Sequence, residues 1–309
     1  MTASIHRLVL ATCVGLLPVG RAAAAQNAIR SSTTDTAGLH RTLDSLAKGF
    51  HGSLGYTIHN LDTGERVALR GDEPFPTASL IKVPVLVTLF AMVAKGEVSL
   101  DDRVTLLRVD KVPGSGTLQF LHDGIDVTVY DAAWLMTTLS DNTATNLLLD
   151  KVPIRRVWQE MEARGLPRSK IHHKVFLRTT TSVVPDSSAK YGLGVTTSNE
   201  MARLFELLAD GKAVSPHADS VMLDILDHND DRQKLQRFVS GVSAPHKTGS
   251  GDDTRTECSL FRLQSRVVAC VLTKENSDKS WGFENEAELT MAKMGLAITS
   301  AWPKKPVSK

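Results

Sequence analysis

The stretch Thr77-Ala78-Ser79-Leu80-Ile81-Lys82-Val83-Pro84 places a hydroxyl and an amine three residues apart. The two side chains share one face only if the backbone is helical here. Pro76 precedes the stretch and an apolar run follows it, so we predict that a helix begins near Ser79. A serine at a helix start lies among unpaired backbone N–H groups that can stabilise an oxyanion. Ser79 is therefore a candidate nucleophile, with Lys82 as its base.

Alone, a Ser-x-x-Lys pair is more typical of a capping serine followed by a solvated lysine. Two later motifs change this interpretation, Ser140-Asp141-Asn142 and Lys247-Thr248-Gly249. The first of them, taken by itself, would be read as a helix cap, because Ser, Asp and Asn are all favoured there. The three motifs in this order resemble those of class A β-lactamases and penicillin-binding proteins. The resemblance extends over nearly the whole chain after its first 25 residues.

The hydrophobic pattern indicates strands towards both ends of the chain and helices in the middle. We therefore predict an α/β (α+β) fold, in which an antiparallel sheet built from both chain ends is flanked by helices and carries an inserted all-helical lobe. The resemblance implies the same β-lactamase/transpeptidase-like architecture. The predicted boundaries are 26–75 plus 215–309 for the sheet lobe and 76–214 for the helical lobe.

Composition excludes several classes of partner. The 309 residues are 42% hydrophobic and 23% charged, as in an ordinary globular protein, and the net charge of +2 leaves no electrostatic footprint for nucleic acid. The His and Cys residues show no metal-ligand spacing, so we expect neither a metal nor another cofactor. The expected partner is a small molecule, a β-lactam or a peptidoglycan-like acyl donor, and we expect a monomer.

Residues 1–25 predict a secretory signal peptide. A short positive start precedes an apolar run of about a dozen residues, whereas a bilayer-spanning helix needs roughly twenty. Small residues follow, with cleavage expected after one of Ala23, Ala24 or Ala25. We therefore expect a periplasmic or secreted protein with no stable membrane anchor in the mature chain.

Two cysteines remain after signal removal. Cys258 and Cys270 lie in neighbouring predicted strands and are equidistant from Gln264, so a hairpin centred there would place them opposite each other. An oxidising compartment permits a disulfide. Two buried small side chains explain the pattern equally well, and a shift of one residue in register would separate them.

The resemblance implies a role for each motif residue. Ser79 attacks a carbonyl to form an acyl-enzyme, Lys82 accepts its proton, and Ser140 relays a proton towards the leaving nitrogen. The backbone N–H groups of Ser79 and Ser250 would form the oxyanion hole. Arg255 lies eight residues after Lys247 and would help to bind a substrate carboxylate, although a surface arginine on an edge strand explains it as well. The residues implied in substrate and oxyanion binding are Asn142, Lys247, Thr248, Ser250 and Arg255.

One family motif is missing. Class A β-lactamases carry Glu-x-x-Leu-Asn after Ser-Asp-Asn, and that glutamate positions the water that hydrolyses the acyl-enzyme. In this chain, the stretch at the corresponding distance after Ser-Asp-Asn is Lys174-Val175-Phe176-Leu177-Arg178, which has no carboxylate. Asp186 is a weak substitute that also suits a turn. The sequence thus predicts acylation and leaves the base for deacylation unassigned.

Our first functional hypothesis is a serine β-lactamase-like hydrolase, in which Ser79 is acylated by the lactam amide and the acyl-enzyme is then hydrolysed. The alternative is a penicillin-binding D-Ala-D-Ala peptidase or esterase with slow β-lactam deacylation. The third is a penicillin-binding sensor module, which would normally require a transmembrane segment.

Overall fold

The computed structural model describes Met1 and residues 36–302. The predicted signal peptide and its cleavage site lie in the remaining part, so both stay predictions. Among the described residues, none of the helices combines the length and the apolar character that a membrane span requires.

The central element is a five-stranded antiparallel sheet drawn from both ends of the chain, in the order β2-β1-β10-β9-β8. Two strands come from the N-terminal part and three from the C-terminal part, which confirms the predicted fold class. The strands are β1 (Ser53–Asn60), β2 (Arg66–Leu69), β8 (His246–Gly251), β9 (Thr254–Arg262) and β10 (Arg266–Lys274).

Strands β3 to β7 form two small antiparallel sheets. One contains three short strands in the order β3-β7-β6, and the other pairs β4 with β5. Their bounds are β3 (Phe75–Pro76), β4 (Arg103–Thr105), β5 (Asp126–Thr128), β6 (Lys170–Ile171) and β7 (Gly194–Thr196).

Helices cover both faces of the large sheet. Alternate side chains of a strand point to opposite faces, and in β10 Val267, Ala269 and Val271 join one core while Val268 and Leu272 join the other. The first and last helices fill the former core, and the remaining long helices build the latter. The helices are α1 (Thr36–Lys48), α2 (Lys82–Ala94), α3 (Val129–Thr138), α4 (Asn142–Lys151), α5 (Ile154–Ala163), α6 (Arg178–Thr181), α7 (Pro185–Tyr191), α8 (Ser198–Ala209), α9 (Pro216–Asp227) and α10 (Glu286–Ala301).

Sequence signals for several helix starts agree with the structure. Ser215 caps α9, where its hydroxyl accepts a bond from the backbone N–H of Ala218, and proline follows at the first helical position. Asp141 caps α4 in the same way. The boundaries between a sheet lobe and a helical lobe at residues 76 and 214 stay predictions.

The two cysteines lie opposite each other in the β9–β10 hairpin. Register pairs Cys258 with Cys270, as a hairpin centred on Gln264 requires, with Cα atoms 4.0 Å apart. Their sulfur atoms are joined as a disulfide, and both residues are fully buried.

Candidate active site

The nucleophile candidate lies in a single turn between a short strand and a long helix. We expected Ser79 to begin an α-helix; instead, residues 78–81 form a 3₁₀ turn, and the α-helix begins at Lys82. Ala78 has a φ of 44°, a left-handed conformation that is uncommon for a residue with a side chain. Such strain costs about 1–3 kcal/mol and is typical of functional sites. Ser79 itself remains partly exposed.

Strand β8 lies directly against this turn. A Cβ atom added to Gly249 would come within 2.5 Å of the Thr77 carbonyl oxygen and 2.9 Å of the Leu80 nitrogen. Thr256 reinforces the contact, because its hydroxyl donates to the same Thr77 carbonyl over 2.8 Å. The glycine of Lys-Thr-Gly is thus required for close approach of the sheet edge to the serine.

Lys82 connects two of the three motifs. Its Nζ donates to the carbonyl oxygen of Ser140 at 2.7 Å, to the hydroxyl of Ser140 at 3.2 Å and to Oδ1 of Asn142 at 2.9 Å. The side chain is buried, and this burial, together with the charge of Lys247, lowers its pKa well below the ordinary value, against an opposing effect of Asp141. A neutral amine of this kind can accept a proton.

Ser140 is the meeting point of the two motif lysines. Its hydroxyl accepts hydrogen bonds from Lys82 Nζ and from Lys247 Nζ, each over 3.2 Å. The residue has a φ of 54°, a second left-handed non-glycine position. Asp141 fixes the facing loop by accepting from the backbone N–H groups of Thr117 and Leu118 at 2.7 and 2.9 Å. The hydroxyl of Ser140 is therefore held between two amines.

The third motif contains Lys247, a buried lysine whose pKa lies close to neutral pH. Lys247 is fully buried, and desolvation lowers its pKa to about 7, with Lys234 adding to the effect while Asp231 and Glu257 oppose it. Asp231 is paired with Lys234 at 2.7 Å. Burial raises the pKa of Asp231, but Lys234 and hydrogen bonds, including one from Thr248, bring it down to about 2. Sequence analysis missed Asp231 and Lys234, since no motif contains them.

A cavity of about 1,340 Å³ lies beside these residues, and the buried Lys82 and Lys247 are not part of its wall. Its wall includes Ser79, Ser140, Asn142, Thr248 and Ser250, so the structure brings these predicted site residues together. The backbone N–H groups of Ser79 and Ser250 stay the predicted oxyanion donors.

Two further elements complete the cavity wall. The loop at 114–117, which the sequence marks as rich in turn residues, forms part of it. Trp281, unmarked by any motif, lines the other side and is 68% exposed.

Arg255 is placed differently from the other predicted residues. It is fully buried, and its guanidinium donates to Glu288 at 3.0 Å and to the carbonyl oxygens of Gly251, Thr254 and Ser280. The guanidinium also lies 4.7 Å from the centre of the Trp281 ring. Arg255 does not itself line the cavity. A structural role is visible here, and the role in carboxylate binding stays a prediction.

The opposite wall comes from residues 172–193, called the 172–193 segment below. Phe176 has a φ of 58° and is 62% exposed. A Cβ atom added to Gly114 would lie 3.2 Å from the Phe176 ring and 2.7 Å from Nδ2 of Asn142, so the ring and the amide border the same spot. Asp186 is exposed in α7 and is not part of the cavity wall. No residue of the 174–178 stretch supplies the carboxylate expected from the family motif.

The side chain of Asn146 fixes this segment to helix α4. Its Nδ2 donates to the Val175 carbonyl at 3.0 Å, and its Oδ1 accepts from the Val175 N–H at 2.8 Å. A helix that begins with the Ser-Asp-Asn motif thus also positions the backbone beside Phe176.

His173 also lines the cavity, although sequence analysis found no role for the histidines. No spacing or motif singles it out. Within the described part of the chain, no three His, Cys, Asp or Glu side chains group as metal ligands would.

The sheet edge, the strained serine turn and the two buried lysines that meet at Ser140 define a β-lactamase/transpeptidase-like protein. A family model described as "Beta-lactamase enzyme family" matches residues 38–302, and the chain belongs to this family.

Individual relatives are distant. The chain is similar to the β-lactamase BRO-1 of Moraxella catarrhalis, with 22% identity over 81% of this chain and 79% of that one. A solved β-lactamase of Sphaerobacter thermophilus is 28% identical with a TM-score of 0.76, covering 86% of this chain and 97% of that one. A point mutant of PBP-A, solved as an acyl-enzyme complex with penicillin G, is 25% identical with a TM-score of 0.75, covering 86% and 96%.

Proposed function

We propose that this protein is a class A-like serine hydrolase that opens β-lactam amides through an acyl-enzyme on Ser79. The observation that carries the proposal is the position of Lys82, whose buried amine lies within 3.2 Å of Ser140 and Asn142 and whose pKa is lowered. Burial of the amine favours its neutral form, which a general base requires.

In the acylation step, Ser79 Oγ attacks the lactam carbonyl carbon and Lys82 accepts the hydroxyl proton. The negative charge that develops on the carbonyl oxygen is stabilised by the N–H groups of Ser79 and Ser250, each worth about 3–4 kcal/mol in such sites. The C–N bond then breaks. Ser140 passes a proton to the ring nitrogen and regains one from the lysine pair that donates to its hydroxyl.

Substrate recognition follows from the same wall. Asn142 would form a hydrogen bond with the amide in the acyl side chain of the substrate. Lys247 and Thr248 would interact with a negatively charged group of the substrate. Lys247 requires its proton for this task, and the pKa of about 7 places that requirement close to neutral pH.

The second candidate function is a penicillin-binding peptidase or esterase that releases β-lactams slowly. Phe176, in the stretch that matches the class A motif and lacks its glutamate, favours it. The similarity to PBP-A supports the same candidate. A penicillin-binding sensor ranks third, because the buried lysine pair is suited to chemistry rather than to binding alone.

The deciding experiment mixes the purified mature protein with a chromogenic cephalosporin and follows both colour and intact mass. Sustained turnover supports the β-lactamase. A long-lived adduct on Ser79 supports the slow penicillin-binding enzyme. A folded protein that gives neither adduct nor turnover would refute both, and Ser79→Ala should abolish either signal.

We also propose that the protein is exported and acts as a monomer in the periplasm or outside the cell. N-terminal sequencing of the mature protein would identify the cleavage site among Ala23, Ala24 and Ala25. Light scattering at several concentrations would test the monomer.

A further inference from the structure

One exposed aromatic ring in the cavity wall has no part in the acylation chemistry. Trp281 lies in the loop between β10 and α10, where it lines the same cavity as Ser79. It is 68% exposed, although a tryptophan side chain gains free energy when its large apolar surface leaves water. The loop at 114–117, which also lines the cavity, contains only glycine, serine and threonine. Trp281 is therefore a candidate contact for an apolar part of the substrate.

A buried arginine holds this ring in place. The guanidinium carbon of Arg255 lies 4.7 Å from the centre of the Trp281 ring, a cation–π contact. Nη2 of Arg255 donates to the carbonyl oxygen of Ser280 at 2.7 Å, and Nε pairs with Glu288 at 3.0 Å. Because Arg255 is fully buried, the guanidinium covers one face of the ring, and the exposed surface belongs to the other face and the edges. A ring fixed in advance loses little side-chain freedom when a ligand binds.

The sheet register shows on which side of strand β8 the ring lies. Thr248 pairs with Glu257, and Ser250 pairs with Arg255. Residues directly opposite each other in an antiparallel pair share a face, as do residues two apart in one strand. The side chains of Thr248 and Arg255 therefore project from the same face of the sheet. Trp281, which covers Arg255, lies on the side of Thr248, the residue proposed above to interact with a negatively charged group of the substrate.

We propose that Trp281 is a specificity-determining residue that stacks against a flat, unsaturated substituent attached next to the carboxylate of the substrate. The inference rests on the proposed function, because it takes Ser79 as the acylated residue and Thr248 as a partner of the carboxylate. Arg255 is then a positioning residue, which acts on the substrate through the Trp281 ring. The favoured substrate class is an anionic cyclic acyl donor that carries an aromatic group beside its carboxylate.

Two cephalosporins form a matched pair of probes for this contact. Nitrocefin and cephalothin share the same thienylacetyl side chain, the same lactam and the same carboxylate. Beside the carboxylate, nitrocefin carries a dinitrostyryl group, whereas cephalothin carries an acetoxymethyl group without a ring. A variant that changes the reaction of one probe and not of the other therefore reports on this substituent.

Phe283 provides a matched control variant. It is also 68% exposed and lies two residues after Trp281 in the same loop, but it does not line the cavity. Trp281→Ala and Phe283→Ala therefore each remove one exposed aromatic ring from this loop, and only the first removes the proposed contact. Trp281→Phe keeps an aromatic ring over Arg255.

The experiment measures the second-order rate constant for acylation of Ser79 with each probe, by intact mass or, under sustained turnover, as kcat/KM. We expect Trp281→Ala to lower the constant for nitrocefin by about tenfold, the usual size of an aromatic contact, and to leave that for cephalothin within about twofold. Trp281→Phe should restore the nitrocefin constant to within about threefold of the unmodified value. Phe283→Ala should change neither constant.

Several results would overturn the inference while the proposed function stands. One is an unchanged nitrocefin constant in Trp281→Ala, and another is an equal loss with both probes, which indicates that the ring supports the cavity rather than the substituent. A loss in Phe283→Ala as large and as selective as in Trp281→Ala would also contradict it. If the folded, unmodified protein is acylated by neither probe, the proposed function fails, and this inference fails with it.

Discussion

The two walls of the cavity differ in how they are held together. In the acylation wall, which we define as Ser79, Lys82, Ser140 and Lys247, direct hydrogen bonds join both lysines to the Ser140 side chain across large distances in sequence. The 172–193 segment is held mainly through its backbone, as in the contacts of Asn146 with Val175. A direct network permits little change in residue type, whereas a backbone-held segment can exchange its side chains. The difference explains how one wall retains the family motifs while the other loses its glutamate.

The strongest test of the acylation wall removes Lys82, its proposed base. Lys82→Ala should slow adduct formation by about 10³-fold, within the range for loss of a general base. Lys151→Ala, at the exposed end of α4, serves as the control and should have no effect. The measurement is adduct formation by intact mass. Formation within tenfold of the unmodified rate in Lys82→Ala would mean that another group takes the serine proton.

A second change separates the sheet edge from the nucleophile turn. Gly249→Ala should slow acylation by about 10²-fold, because a displacement of about 1 Å at a reacting group has that cost. Its Cβ atom would lie 2.5 Å from the Thr77 carbonyl oxygen, and such overpacking should also lower the free energy of unfolding by about 1–3 kcal/mol.

Gly251→Ala is the matched control for this change. There the nearest atom to an added Cβ is that of Thr254 at 3.7 Å, an ordinary contact. Acylation rates and urea unfolding of the two variants decide the comparison. Equal effects of the two substitutions would contradict the close-packing argument.

The 172–193 segment is tested by restoring the missing carboxylate. Phe176→Glu should shorten the adduct lifetime by about tenfold or more if the segment follows the path of the family, since a carboxylate there can activate water. Phe120→Glu adds the same charge at another exposed phenylalanine and should leave the lifetime unchanged. An unchanged lifetime in Phe176→Glu would refute the alignment that places position 176 beside the acyl-enzyme.

The sequence predicts much of the acylation wall because each motif lies at the start of a helix or in a strand, where spacing determines geometry. The sheet from both chain ends and the facing of Cys258 and Cys270 follow from the same local periodicities. The 3₁₀ turn at Ser79 could not be predicted in this way, since its strain is supported by contacts with Gly249 from the far end of the chain. The bonding of Arg255 likewise depends on groups that only the folded chain brings together.

The smallest expected effect is on stability rather than on rate. It tests whether burial of the two lysines of the acylation wall lowers the free energy of unfolding. In the folded protein the pKa of Lys247 is about 7, and in the unfolded chain it returns to about 10.5. Between these values the unfolded chain binds a proton that the folded chain does not, so the free energy of unfolding rises with pH. Lys82, whose pKa is also lowered, acts in the same direction.

Urea unfolding of the unmodified protein at pH 7, 8 and 9 should therefore show increasing stability. Lys247→Met should make the increase smaller without abolishing it, because methionine does not titrate while Lys82 still does. Among the described residues, the lysines with lowered pKa values are Lys82 and Lys247, and both lie in the acylation wall, so we assign the rise in stability to that wall. A flat or falling profile in the unmodified protein would mean that both lysines keep their protons in the folded protein, and neither would then be a free amine beside Ser140.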